Sequence, residues 1–299
     1  DGSQVALAFA VFPDCKADLD CTKKKLDEAD ALKTTGKVFD RMFIRHWDTW
    51  SDGRLNRVFA AKLGGDGMIK AGTLLSGDIA GDIPSKPFGD LSDFAWSPDG
   101  KSVAMSVRQA NREEPWSTNF DIWLVNADGS GARNLTASNP AWDAGPVFCA
   151  DGKTRYYRAM ARPGFEADRF ALMAMDLATG KSREIASKWD ASADGITLSA
   201  DGKWIYTTAS ELGRHPLFRV SLANGEVVLT APETEGGKRI DQTIRYATGD
   251  LVDVSKELLD GGVYDRLDAV RKDREQTYLD LIGDGCHALR GLGRAVELL

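Results

Sequence analysis

Two adjacent acidic residues, Glu113 and Glu114, stand in a short polar segment between two apolar runs, and Trp116 follows them closely. Two carboxylates near one ammonium form charge-assisted hydrogen bonds with it when their pocket is partly desolvated. In open solvent the same pair is an ordinary solvated charge on a loop. The segment is therefore a candidate for binding an amino group, with the indole of Trp116 beside it.

A second candidate cluster lies further along the chain, where Phe165 is followed by Glu166, Asp168 and Arg169. Its charged side chains form an exposed group of the same kind as the first cluster. Phe165 offers an apolar contact to anything that these charges bind. The alternative is again a solvated loop, whose charges serve no ligand.

No catalytic residue is predicted. The sequence lacks the Gly-x-Ser-x-Gly motif that places a nucleophilic serine on a strained strand-to-helix turn. Residues 129–131 read Gly-Ser-Gly, which has the wrong spacing and suits a hairpin turn. The histidines His46, His215 and His287 have no metal-ligand spacing and no cysteine pair nearby, so neither a metal site nor a cofactor is predicted.

The four cysteines are too few for a fold built on disulfides. Cys15 and Cys21 lie six residues apart in a polar loop, which favours a local disulfide over a zinc site. A disulfide would imply an oxidising compartment, whereas two free thiols in a cytosolic loop are the alternative. Cys149 and Cys286 have no obvious partner and are predicted to be small buried hydrophobic residues.

Composition and charge exclude several classes of protein. The 299 residues are 42% hydrophobic and 28% charged, which excludes collagen, wholesale disorder and a coiled-coil rod. The formal net charge of −7 disfavours broad binding to nucleic acid or to an anionic membrane. No apolar run approaches the ~20 residues of a membrane span. Residues 5–12 lack the flanks of a signal peptide, so we expect a chain that starts after an export signal or never had one.

The elements that must position the candidate clusters repeat along the chain. An Asp-Gly pair separates two β-rich apolar runs at residues 99–100, 151–152 and 201–202. Asp-Gly favours a tight hairpin, because both central residues of such a turn need positive φ. A second, glycine-containing turn follows each of these at residues 126–129, 176–180 and 222–225. Four antiparallel strands in every ~50 residues predict the blades of a β-propeller.

The start of the chain fits the same template. Residues 1–9 match the first hairpin of a blade, and residues 57–63 supply its third strand, while residues 13–40 form a polar insertion between them. The predicted fold class is therefore mainly β, a partial propeller of about four blades whose first blade lacks its inner strand. An open arc exposes sheet edges, so either another segment covers them or the chain is part of a larger closed propeller.

The composition changes near residue 232, after which neither tryptophan nor proline occurs. We predict a propeller domain over 1–231, a linker over 232–239 and a helical segment over 240–299. The last of these has apolar residues at helical spacing between glycine breaks, which predicts about three helices. This segment could cover a propeller edge, mediate self-association, or be a fused or recombined piece; the open propeller edges are the other possible route to self-association.

Several loops resemble the amino-terminal propeller of bacterial prolyl oligopeptidase-family serine peptidases, in the dipeptidyl-peptidase and acylaminoacyl-peptidase-like branch. The similar segments are residues 12–15, 45–54, 84–89, 114–121 and 163–170. The resemblance covers about residues 1–230 and is specific, since it includes loops as well as repeat turns. It implies a periplasmic or secreted setting and a propeller that caps an α/β-hydrolase domain carrying Ser, Asp and His.

The resemblance also implies roles. In dipeptidyl peptidases of this family a propeller glutamate pair holds the free amino terminus of the substrate, and Glu113 and Glu114 are of that type. The hydrolase domain has no counterpart in this sequence, so we expect a non-catalytic part that gates and recognises peptides. A stand-alone periplasmic scaffold for protein–protein interaction is the alternative. A third possibility is a catalytic domain that lies on another chain or outside this sequence.

Overall fold

The computed structural model describes residues 4–40, 42–64, 72–77, 79–109, 112–211 and 215–230. The predicted linker and helical segment lie outside these residues, as do His287 and Cys286. Within the described residues the chain is mainly β. In chain order the strands are β1 (Gln4–Val11), β2 (Arg45–His46), β3 (Thr49–Trp50), β4 (Leu55–Lys62), β5 (Thr73–Leu74), β6 (Gly81–Asp82), β7 (Phe94–Trp96), β8 (Ser102–Gln109), β9 (Phe120–Asn126), β10 (Arg133–Asn134), β11 (Asp143–Phe148), β12 (Thr154–Ala159), β13 (Ala171–Asp176), β14 (Ser182–Glu184), β15 (Thr197–Leu198), β16 (Trp204–Thr208), β17 (Leu217–Ser221) and β18 (Val227–Leu229).

The strands pair antiparallel within consecutive sheets. The first sheet has the order β1–β4–β5, and the second has the order β10–β9–β8–β6 with β7 also paired to β8. The third and fourth sheets, β11–β12–β13–β14 and β15–β16–β17–β18, join each strand to its neighbour in sequence, as propeller blades do. The predicted fold class, a mainly β chain that forms a partial propeller, is confirmed.

Two compact units make up the chain. The first contains Asp1–Asp168 and Met175–Lys181, and the second contains Arg169–Ala174 and Ser182–Leu299. The first and second sheets lie in the first unit, and the fourth sheet lies in the second unit. All the loops that form the recess described below belong to the first unit.

Strand β8 organises the core of the first unit. Its alternate residues Val103, Met105 and Val107 join a buried apolar cluster that includes residues of β4 and of the segment after β5. Ala104 faces the other way and packs in a second cluster with Phe148 of β11. This alternation follows from the period of two along a strand, so both faces of the second sheet are covered.

Two buried carboxyl groups lie in the same unit. The side chain of Asp143 is fully buried and accepts a hydrogen bond from Asn139 Nδ2 at 2.9 Å, while its Oδ2 has no hydrogen-bond partner. Asp121 is buried and accepts from Asn134 Nδ2 at 2.7 Å and from Thr136 Oγ1 at 3.5 Å. Burial and the nearby charge of Asp121 together raise the pKa of Asp143 to about 7, against the lowering effect of hydrogen bonds from Asn139 and Thr136.

The Asp-Gly turns differ from the predicted type. Four residues connect Ser97 to Ser102, and the N–H of Gly100 donates to the C=O of Ser97 at 2.9 Å. Only the glycine has positive φ, at 66°, because the carboxylate of Asp99 accepts from the backbone N–H of Lys101 and holds the turn with ordinary φ at Asp99. The prediction of a two-residue turn with positive φ at both centres was therefore wrong, although the turns occur where they were expected.

The insertion at 13–40 contains a helix that the sequence analysis missed. Helix α1 (Leu19–Asp30) begins after Asp18, whose side chain accepts from the backbone N–H of Cys21 at 2.8 Å. Ion pairs at i,i+4 spacing, such as Lys23 with Asp27 at 2.7 Å, support its exposed face. A disulfide joins Cys15 to Cys21, with Cα atoms 5.6 Å apart, and ties the first turn of α1 to the preceding loop.

Cys149 is not the buried residue that the sequence predicted. Its side chain is half-buried at the start of the second Asp-Gly turn, next to Asp151. This partial burial raises the pKa of its thiol. The backbone of Cys149 takes part in the turn, since its N–H donates to the C=O of Thr154 and its C=O accepts from the N–H of Gly152.

Candidate functional site

Two loops of the first unit meet around an open recess of about 360 Å³. One loop, of which residues 112–119 are described, lies between β8 and β9, and the other begins after β12. The N–H of Gly164 in the second loop donates to Thr118 Oγ1 of the first loop at 2.8 Å. The lining residues are Arg108, Pro115, Trp116, Ser117, Thr118, Gly164, Phe165, Glu166 and Ala167.

The recess brings together parts of both candidate clusters. Trp116 of the first cluster and Phe165 and Glu166 of the second line it, and all three side chains are exposed. Glu113 and Glu114 are on the same loop as Trp116 but are not among its lining residues. The sequence placed these clusters far apart along the chain, and the fold makes them neighbours.

Arg108, near the end of β8, holds the first loop in place through hydrogen bonds to its backbone. Its Nη2 donates to the backbone carbonyls of Glu114 at 2.5 Å and Ser117 at 2.7 Å. The loop contains a short 3₁₀ helix, Glu114–Trp116. Pro115 lies near its start, where the fixed φ of proline suits a helix. The C=O of Glu113 accepts from the N–H groups of Trp116 and Ser117. Arg108 thus sets where the loop lies, a role that the sequence analysis missed.

The two adjacent glutamates have unequal surroundings. Glu113 is exposed, whereas Glu114 is half-buried. Burial raises the pKa of Glu114 to about 6; the positive charge of Arg108 opposes this rise, and the negative charge of Asp82 adds to it. Glu114 is therefore the carboxylate of the pair whose ionised form gains most from a cation.

A group of charges on β6 and the following loop surrounds this position. Asp82 forms an ion pair with Lys86, with the Nζ–Oδ1 distance at 3.2 Å. Burial lowers the pKa of His46, against the opposing effect of Asp82. The guanidinium of Arg108 lies over the ring of Phe43, 5.6 Å from its centroid.

The second loop is folded around Asp168. Its Oδ2 accepts from the backbone N–H groups of Ala161 at 2.9 Å and Arg162 at 2.8 Å, and its Oδ1 accepts from Arg162 Nε at 2.9 Å. The Asp168 side chain is only 9% exposed. The guanidinium of Arg162 stacks over Phe165, 4.1 Å from the ring centroid. Asp168 is thus engaged with its own loop.

Arg169 faces other residues of the second unit. Its Nη1 donates to the backbone carbonyl of Trp189 at 3.0 Å, and its Nη2 pairs with Glu184 Oε1 at 2.8 Å. These contacts fix the start of β13 relative to β14, since Glu184 is the last residue of β14. The role of Arg169 in binding a ligand stays a prediction.

Among the described residues, His, Cys, Asp and Glu do not gather in groups of three that could hold a metal ion. His215 Nε2 lies 2.6 Å from Asp194 Oδ2, and the hydroxyl of Thr208 donates to the same carboxylate at 3.0 Å. The hydroxyl of Thr208 thus donates its hydrogen bond to the carboxylate and not to the imidazole, whereas in a nucleophile–base pair the hydroxyl donates to the base.

Comparison with known proteins places this geometry in context. No protein-family model matches the chain. Dipeptidyl-peptidase 5 of Porphyromonas gingivalis is 32% identical over 199 residues, which cover 66% of this chain and 29% of that protein. Dipeptidyl-peptidase 5 of Trichophyton schoenleinii is 31% identical over 203 residues, covering 62% of this chain and 28% of that protein.

The β region is similar in sequence to part of these dipeptidyl-peptidases, in agreement with its resemblance to prolyl oligopeptidase-family propellers. The chain spans less than a third of the length of these two relatives. Among solved structures, the acylaminoacyl peptidase of Pyrococcus horikoshii matches with a TM-score of 0.48 and 12% identity, over 77% of this chain and 30% of that one. None of the helices in the described ranges combines the length and hydropathy that crossing a bilayer requires.

Proposed function

We propose that the β region is the non-catalytic, substrate-recognising part of a prolyl oligopeptidase-family serine peptidase, and that the recess binds the amino-terminal end of a peptide. The observation that carries this proposal is the meeting of both candidate loops around one recess. Its volume of about 360 Å³ is at the lower end of the range for ligand pockets, which suits the end of a peptide better than a long stretch.

The chemistry of the recess suits a cationic chain end beside apolar groups. Glu166 is among the lining residues, and the half-buried carboxylate of Glu114 lies on the same loop as Trp116. Arg108 already binds two carbonyls of that loop, so its charge is partly engaged. The raised pKa of Glu114 indicates that nearby positive charge does not offset the loss of water around its carboxylate. A peptide ammonium would supply the additional positive charge.

The proposed role is gating and recognition, with bond cleavage left to an α/β-hydrolase domain that would share the substrate. The names of the dipeptidyl-peptidase 5 relatives support a peptide with a free amino terminus as the substrate class. The disulfide between Cys15 and Cys21 supports an oxidising, exported setting, periplasmic or secreted. The predicted helical segment at 240–299 stays a separate proposed domain.

Calorimetric titration of the full chain with a dipeptide amide, free or acetylated at its amino terminus, tests the proposal. We expect the free peptide to bind at least about tenfold more tightly, because acetylation removes the charge that the carboxylates recognise. Glu114→Gln should remove most of this preference, and Glu113→Gln, its exposed neighbour, should have the smaller effect. Equal affinity for free and acetylated peptides would overturn the proposal.

The pH dependence of binding sharpens this test. The ammonium binds the ionised form of Glu114, so affinity should rise as pH increases from 5 through about 6, the raised pKa. It should fall again above about 8, where a peptide amino group loses its proton. In Glu114→Gln the acid limb of the profile should disappear while the alkaline limb remains. An unchanged acid limb would remove Glu114 from the proposed site.

A scaffold that binds other proteins is the second candidate. Trp47 and Phe88 are 69% and 76% exposed and contact each other, with ring centroids 5.3 Å apart. Exposed aromatic side chains in contact are typical of protein-binding surfaces. Two results together would favour self-association or scaffolding over substrate recognition. The free peptide would fail to bind, and Trp47→Ser and Phe88→Ser would change the oligomeric state that light scattering measures in solution.

A further inference from the structure

We propose that Phe165 selects peptides with a planar side chain near their amino terminus, and that Arg162 and Asp168 are positioning residues that hold its ring in place. This inference rests on the proposed function, because it names the side-chain class that the same recess prefers. It also gives Asp168 a role different from the one that the sequence suggested. Three sets of contacts carry it.

The first set fixes Arg162. Asp168 receives two backbone N–H groups with one carboxylate oxygen and the side chain of Arg162 with the other. Arg162 Nη2 also lies 2.8 Å from Asp168 Oδ1, so the carboxylate binds the guanidinium through two nitrogens. A fork of two bonds fixes the plane of the guanidinium as well as its position. The side chain of Asp168 is largely buried, whereas that of Arg162 is 64% exposed.

The second set fixes Phe165. The guanidinium of Arg162 covers the ring at 4.1 Å from its centroid, close enough for face-to-face stacking. The backbone N–H of Asp168 donates to the C=O of Phe165 at 3.1 Å. The ring remains 43% exposed and lines the recess. A ring held on one side before the ligand arrives loses little freedom when a ligand stacks on it.

The third set fixes this loop against the other side of the recess. The N–H of Gly164 donates to Thr118 Oγ1, two residues from Trp116. Gly164 has φ of 73°, and no heavy atom lies within 4 Å of where its Cβ would be, so the glycine serves the backbone conformation and not close packing. The 69% exposed indole of Trp116 and the ring of Phe165 thus bound the same recess on two connected loops.

Two aromatic surfaces on one small recess favour a planar side chain over a saturated one of equal size. Stacking between aromatic rings is favourable beyond the burial of apolar area, whereas burial alone does not distinguish the two. We therefore expect phenylalanine at the amino-terminal position to bind several-fold more tightly than cyclohexylalanine, with alanine weakest. The cyclohexyl side chain is the control for size and apolarity.

The experiment measures, by calorimetry on the full chain, the affinity ratio of phenylalanyl to cyclohexylalanyl dipeptide amides. We expect Phe165→Leu to bring the ratio to about one, since leucine keeps an apolar wall but has no ring face. Arg162→Ala and Asp168→Asn should lower the ratio while retaining the ring. Arg183→Ala, which removes an exposed arginine of the second unit, is the control and should leave the ratio unchanged.

The outcomes separate the two proposals. A ratio of one in the unmodified chain, with the preference for free amino termini intact, would overturn this inference and leave the proposed function standing. Failure of every peptide to bind would overturn both. A ratio that survives in Phe165→Leu would also reject the inference, and this exposed substitution is a safe second variant if Asp168→Asn fails to fold. Because a purely structural role for Asp168 would weaken all peptides equally, the ratio is the decisive measurement.

Discussion

The carboxylates of the Asp-Gly turns and the more deeply buried carboxylates of the first unit have pKa values that are shifted in opposite directions. In the turns, Asp99 and Asp151 are exposed. Hydrogen bonds from the hydroxyl of Ser97 and the N–H of Lys101 lower the pKa of Asp99. For Asp151, desolvation is outweighed by hydrogen bonds from the N–H groups of Lys153 and Thr154, so its pKa is also lowered. Among the deeper groups, burial raises the pKa of Asp93 and Glu114 to about 6 and that of Asp143 to about 7.

An ionised carboxylate therefore stabilises the Asp-Gly turns, whereas it destabilises the buried positions. A turn carboxylate replaces water by donors only two or three residues away, so its charge is solvated at little cost. A deep carboxylate loses water, and nearby cations such as Arg108 beside Glu114 do not compensate for this loss, so its charged form is disfavoured. A cationic ligand gains most binding free energy at a carboxylate that is desolvated and poorly paired. Glu114, on the loop that lines the recess, is such a carboxylate.

The largest expected effect is at Asp143. Its folded pKa of about 7 lies above the ordinary value of 3.8, so the stability it supports is complete at low pH and is lost as pH rises towards 7. Asp143→Asn keeps a neutral side chain at every pH. We expect the variant to be more stable than the unmodified chain by about 2–4 kcal/mol at pH 8, with little difference at pH 4.

Urea unfolding at both pH values measures this effect. The facing groups are Asp121, Thr136 and Asn139, of which only Asp121 can change its charge, and its pKa is also raised by burial. Asp121→Asn is therefore the companion variant, and it should give a smaller gain at pH 8. Equal stability differences at pH 4 and pH 8 would show that Asp143 titrates in an ordinary way and would break the comparison.

An intermediate effect is expected at the glycine of a turn. Gly152 has φ of 65°, and no heavy atom lies within 4 Å of where its Cβ would be, so Gly152→Ala meets only backbone strain. We expect a loss of about 1–2 kcal/mol in the free energy of unfolding. Gly36, which has equal space and no positive φ, is the matched control, and Gly36→Ala should cause no loss. Similar losses in both would attribute the effect to the side chain and not to the turn.

The smallest effect is expected at Asp99. Asparagine keeps an acceptor for the N–H of Lys101, so Asp99→Asn removes only a charge that water already solvates. We expect the thermal midpoint at pH 7 to fall by less than about 2 °C. Since the folded pKa of Asp99 is lowered, this difference should vanish as pH falls below it. A larger shift would mean that the turns contribute to stability as much as the deep carboxyls do.

Much of the fold could be predicted because the repeat turns are locally determined. The side chain of Asp201 accepts from Ser199 Oγ and from the N–H of Lys203, repeating the contacts of Asp99 with Ser97 and Lys101. Contacts that span two or three residues leave a pattern in the sequence. The same locality would have revealed α1, since Asp18 caps it and oppositely charged residues recur at i,i+4 within it.

The sequence by itself determined where the strands turn, which loops carry charged and aromatic groups, and that the β region resembles a peptidase propeller. Only the tertiary structure decided which of those groups share a recess. It paired Gly164 with Thr118 across 46 positions, put Arg108 under the loop of Glu114, and turned Asp168 towards Arg162. The physical reason is that desolvation and charge pairing depend on distance in space, and distant positions of the chain leave no local pattern that reports it.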